Sequence, residues 1–120
     1  MKKSSYLKHL YNLYNEVFFD DRLPKDTVLY FVPDIDGVKS KAAQHRRTNA
    51  VTRWYADKPI HILIRRTPEK SMRYIMGDLL HEMCHVANPR AKCSSEGVYG
   101  GVFDREMKRL AAAGAFEFIW

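Results

Sequence analysis

The feature that most constrains this chain is a five-residue run, His81-Glu82-Met83-Cys84-His85, of the form H-E-x-x-H. It lies in a segment, 68–88, whose apolar residues Met72, Ile75, Met76, Leu79, Met83 and Val86 recur at helical spacing. On a helix, residues four apart share a face, so His81 and His85 can place two imidazole nitrogens on one metal ion. Glu82 stands beside them, able to take a proton from water without being a ligand. Two ligands, a base and an open position for water are what a zinc hydrolase requires. Asp78, His81, Glu82 and His85 are expected on the side opposite or flanking the core stripe.

Thr67-Pro68-Glu69 before this segment reads as a helix start, with a capping threonine, proline at the first helical position and an acid in the first turn; Asn88-Pro89 reads as its end. Upstream, Leu7, Leu10, Tyr11, Tyr14, Val17 and Phe18 predict an amphipathic helix over 5–19, capped by Ser4 or Ser5. The β-rich stretch 27–32 ends at the turn cluster around Asp34, Asp36 and Gly37, which lacks the later ligands of a calcium loop. A strand is expected over 50–56, and another over 60–65, where Ile60, Ile62 and Ile64 alternate with His61, Leu63 and Arg65. These segments predict an antiparallel sheet of three or four short strands. Residues 102–113 predict a last helix, with Phe103, Met107, Leu110 and Ala111 inward and Gly114 after its end. The aromatic tail 116–120 should dock as an edge strand or an apolar strap.

The 120 residues fit a single α+β domain over 1–120, and 46% apolar content supplies a core rather than a disordered chain. No apolar run approaches a membrane span, and Met1-Lys2-Lys3-Ser4-Ser5 leads into an amphipathic pattern rather than a secretory core. With two cysteines only, Cys84 and Cys93, a reducing cytoplasm is the expected location. The net charge of +6 suits an anionic partner, nucleic acid first. Lys39, Lys41, Arg46, Arg47 and Arg53 are the candidate phosphate contacts, with Trp54 or Tyr55 able to stack on an unpaired base. The alternative places Trp54 in the core and spreads the charges over several faces.

Two histidines do not complete a catalytic zinc site, which takes three protein ligands and water. The histidine six residues after His85 in one metalloprotease class is Ala91 here, and no histidine follows His85. The loop after the helix is the natural source of the third ligand.

The order of elements resembles the SprT-like (Spartan-type) metalloprotease family. Phe18-Phe19-Asp20-Asp21-Arg22-Leu23-Pro24 is similar to that family's exit from the first helix. Ile60-His61-Ile62-Leu63-Ile64 resembles the strand before its catalytic helix. Leu79-Leu80-His81-Glu82-Met83-Cys84-His85-Val86-Ala87 resembles the helix itself, and Gly100-Gly101-Val102-Phe103 with Met107 resembles its H-G-x-x-F…M segment. The resemblance covers nearly the whole chain. It implies a small zincin-like core and a zinc-dependent peptidase acting on DNA-associated or DNA-crosslinked proteins, nucleoid-associated or nuclear where DNA is involved. His81 and His85 then bind Zn2+ and Glu82 is the general base, with Asp78 and Asp104 as candidate partners of the histidines. The family's third zinc histidine falls at Tyr99. Tyr99 is therefore the third ligand or an oxyanion stabiliser; Glu96 or Cys93 supplies the ligand instead; or the site is weak, and the chain is an inactive module that binds DNA or a protein. A repressor-cleaving peptidase is a further reading, disfavoured by the G-x-x-F segment.

Overall fold

The computed structural model describes residues 3–33, 35, 49–89 and 102–115, the last stretch with side chains from residue 105 onward. Among these residues it is an α+β arrangement of three helices and one three-stranded mixed sheet. The elements run α1 (Ser5–Phe18), β1 (Val28–Val32), β2 (Ala50–Arg53), β3 (His61–Arg65), α2 (Met72–Ala87) and α3 (Val102–Ala112).

Helix α1 begins where Ser4 leaves extended backbone and its Oγ accepts a hydrogen bond from the Leu7 N–H at 3.1 Å. Such a cap contributes about 1 kcal/mol. Leu7, Leu10, Tyr11 and Tyr14 are buried as the periodicity requires, whereas Val17 is exposed. The chain reverses after the helix through Asp20 and Asp21, both at positive φ (52° and 57°), a conformation short acidic side chains tolerate. Buried Asn15 fixes that reversal: its amide donates to the Leu23 carbonyl (3.1 Å) and its Oδ1 accepts from the Leu23 N–H (3.0 Å). Tyr11 then ties the helix to the approach to β1 by donating to the Pro24 carbonyl at 2.7 Å.

The sheet order is β1-β3-β2. β2 pairs antiparallel with β3, but β1 pairs parallel with it, Leu29 opposite Ile62 and Phe31 opposite Ile64. The wholly antiparallel sheet expected from the sequence is thus replaced by a mixed one. The cause is insertion: β3 enters between β1 and β2, so these chain-order neighbours do not pair with each other. Central β3 is covered on both faces. Ile62 and Ile64 join α1 and α2 in the main core, while Leu63, 3% exposed, packs with Tyr30, Val32 and Ile35 on the other side. Its alternation therefore does not separate a dry face from a wet one. β2 is also shorter than expected: it ends at Arg53, leaving Trp54 and Tyr55 46% and 39% exposed beyond it. The outer edge of β1 carries a bridge from Lys3 to Tyr30, whereas β2 is an edge strand among the described residues.

α2 starts four residues later than Pro68, with Ser71 in the cap position. The Lys70 N–H bonds the Thr67 carbonyl at 3.1 Å, closing a turn with proline second, which the same local signals also favour. Lys70 then reaches both the Arg65 carbonyl and the Asp78 carboxylate, tying the end of β3 to the helix. Ile75, Leu79, Leu80, Met83, Cys84 and Val86 are buried; Met72 is exposed. α3 packs Leu110 inward and brings Met107 Sδ to 3.4 Å from the Cys84 Sγ. Ala111 is exposed rather than inward. Arg109 donates to the Phe18 carbonyl at 2.7 Å, joining α3 to the C-terminal end of α1 where a cation is favoured.

Candidate metal centre

Helical geometry alone brings the histidines together. His81 and His85 lie on adjacent turns of α2, their ring centroids 5.0 Å apart and their planes inclined at 70°. Donor atoms of His81, Glu82 and His85 all fall within 4.8 Å of one another. Both histidines are partly exposed, while Glu82 is only 5% exposed. A carboxylate that deep needs a partner. Thr52 provides it, its Oγ1 donating to Glu82 Oε1 at 2.8 Å. Thr52 faces the helix because it pairs across the sheet with Ile62, and directly opposed residues point to the same face. Burial, and then the neighbouring His85, pull the His81 pKa down from 6.5 to about 4. His81 is thus a neutral imidazole around neutral pH, the form that binds metal. Two imidazoles with an adjoining carboxylate are a donor set that suits zinc.

A cavity of about 360 Å³ opens on two members of this group, His81 and Glu82. Its walls are Asn49 and Ala50 at the start of β2, Tyr74, Gly77 and Asp78 on α2, Met107 on α3, and His81 with Glu82. The site therefore lies between the edge strand and the helix. Asp78, a candidate partner for the histidines, reaches the cavity but is ion-paired with Lys70.

Of the other residues singled out from the sequence, Arg53 is half-buried and pairs with His61, which puts it on the sheet face away from Glu82. That face also carries Tyr30, whose ring meets His61 edge-on at 5.3 Å. Tyr55 approaches the same imidazole at 4.8 Å, and Lys58 lies over the Tyr55 ring. Trp54 is exposed rather than in the core. Lys39, Lys41, Arg46, Arg47, Cys93, Glu96 and Tyr99 lie outside the described residues, as do the tail 116–120, the turn residues Asp34 and Asp36, and the Asp104 side chain.

Thr52 escaped the sequence reading. Its one signal was a polar β-branched residue at the parity of Ala50, and only the register with Ile62 shows which face that is. Gly77 left a clearer mark, a glycine inside a strong helical pattern.

Comparisons with protein-family models, with curated proteins and with solved structures find no match to this chain.

Proposed function

We propose that this chain is a zinc-dependent endopeptidase of SprT-like type, with Glu82 as general base. One observation carries the reading: the His81, Glu82 and His85 donor atoms gather within 4.8 Å, and His81 and Glu82 line a cavity bordered by β2, an edge strand among the described residues. His81 and His85 would hold the ion, and a third ligand would come from Tyr99, Glu96 or Cys93. When bound, zinc supplies Lewis acidity, lowering the pKa of water towards ~7 and polarising a carbonyl.

The chain's own residues supply the rest. Thr52 donates to Glu82 Oε1 and so anchors the carboxylate that lines the cavity, which would take the proton of an attacking water. Glu82 then delivers that proton to the departing amine. An extended peptide would add to the edge of β2 that is unpaired among the described residues, through backbone hydrogen bonds, which favours weak dependence on sequence. The pairing strand is the one that holds Thr52, so substrate and base are positioned by a single element.

DNA-associated proteins are the proposed substrates, and a cytoplasmic, nucleoid or nuclear location belongs with them. Among the described residues no helix is long and apolar enough to cross a membrane. Lys39, Lys41, Arg46, Arg47 and Arg53 are the proposed phosphate contacts, and exposed Trp54 or Tyr55 could stack on an unpaired base. DNA binding through these residues should weaken steeply with salt.

A second reading rests on Tyr99 standing where the resembling family has histidine: a module with weak metal affinity that binds DNA or a protein without cleaving. One experiment separates the two. Zinc content of the purified full chain is measured, with cleavage of a DNA-bound protein by wild type and Glu82→Gln. About one zinc per chain with Glu82-dependent cleavage supports the peptidase. No zinc, or cleavage that survives Glu82→Gln, rejects it.

A further inference from the structure

Gly77 sits inside α2, four residues before His81 and on the same face of the helix. Glycine weakens a helix interior relative to alanine. Its backbone is not the reason for it here, because the one glycine at positive φ among the described residues is Gly114. What Gly77 provides is room: it lines the cavity beside His81 and Glu82, where a Cβ would project.

The remaining walls define what that room suits. Tyr74, Ala50 and Met107 contribute apolar surface, and Tyr74 is 60% exposed. Asn49 and Asp78, the polar residues of the lining apart from the His81–Glu82 pair and the Tyr74 phenol, are already engaged. Asn49 Oδ1 accepts from Arg65 Nη2 at 3.0 Å, and the Asp78 carboxylate is paired with Lys70. A basic guest would have to displace Lys70 to reach Asp78, and an acidic one would face both Asp78 and Glu82. An uncharged apolar side chain meets neither penalty and removes apolar wall from water.

We propose that the recess over Gly77 is a subsite for one bulky apolar side chain, of the leucine, methionine or phenylalanine class, carried by an extended peptide lying along β2. This inference rests on reading the site as one that receives peptide, and it makes Gly77 the residue that sets the size of side chain accepted.

The test measures binding separately from cleavage. Capped peptides of a common serine–glycine host, each with one guest residue (Leu, Phe, Ala, Lys or Asp), are titrated calorimetrically into the zinc-treated full chain carrying Glu82→Gln. Leu and Phe guests should bind on the order of tenfold or more tightly than Lys and Asp guests. Adding Gly77→Ala, a better helix former, should lower affinity for the Phe guest more than for the Ala guest. Equal affinities, preference for a charged guest, absence of binding, or a Gly77→Ala variant with the same Phe-to-Ala ratio would each overturn the subsite. Wild-type protein is then given the tightest-binding peptide. If it is bound but never cut, the peptidase reading fails while the subsite stands as a peptide-binding groove.

Discussion

Thr52 Oγ1 donates to Glu82 Oε1 across 2.8 Å, from an edge strand to a helix, with the two residues 9% and 5% exposed. The bond ties the helix carboxylate to the strand and orients it. Thr52→Val keeps the shape and removes the hydroxyl. Turnover should fall on the order of 10–100-fold, as for other partners that orient a reactive group. KM and zinc content should change little, and Thr52→Ser should restore most of the rate. A Val variant with wild-type turnover would show that Glu82 needs no such anchor.

Zinc should raise the stability of the full chain, since a ligand that binds only the folded state stabilises it by about 2.7 kcal/mol at a hundred times its Kd. His81→Ala and His85→Ala should each abolish that rise in melting temperature. Tyr99→Phe should loosen zinc retention, measured by competition with a chelator. Unchanged retention in Tyr99→Phe would move the third ligand to Glu96 or Cys93, each then tested by its own substitution.

Alkaline pH should destabilise the fold through two buried groups, Cys84 and Tyr14. Burial raises the Cys84 thiol from 9.0 to about 12, with a further push from Glu106, and burial with Tyr6 raises the Tyr14 phenol from 10.0 to about 12. Both groups hold their protons more tightly folded than unfolded. Stability from this source is therefore complete below about pH 9 and declines as pH rises towards about 12. Thermal melts between about pH 8 and about pH 11 should show the decline, with a shallower slope in Tyr14→Phe. A melting temperature independent of pH across that range would contradict the burial of these groups.

Asn15 supports the exit of α1 by satisfying both backbone groups of Leu23 in a buried setting. Asn15→Ala leaves that N–H and carbonyl unpaired and should cost about 2–4 kcal/mol. Urea unfolding of the two proteins measures the difference. Glutamine at the same position, one methylene too long, should recover little of it.

Much of this molecule was legible locally. The spacing of Leu7, Leu10, Tyr11 and Tyr14 places α1, and Ser4 marks its start, because helical hydrogen bonds and caps close within a few residues. The same short range puts His81 and His85 on adjacent turns of one helix, so the candidate ligand pair follows from the sequence without any tertiary information. Residues 67–69 mark the limit of such signals: they suit a helix start and a proline turn equally, and the reach of Lys70 to Arg65 and Asp78 accompanies the turn.

Tertiary structure alone decided the rest. Strand pairing joins residues far apart in sequence, and alternation within 60–65 does not say that β3 lies between β1 and β2, parallel to one and antiparallel to the other. That insertion buries Leu63 on a second core and sends Arg53 to the face away from the site. It also sets Thr52 opposite Ile62, and so beneath Glu82. The histidines and the glutamate are products of helical repeat; the hydroxyl that steadies the glutamate, and the cavity that Gly77 opens between helix and edge strand, exist only once the sheet has chosen its order.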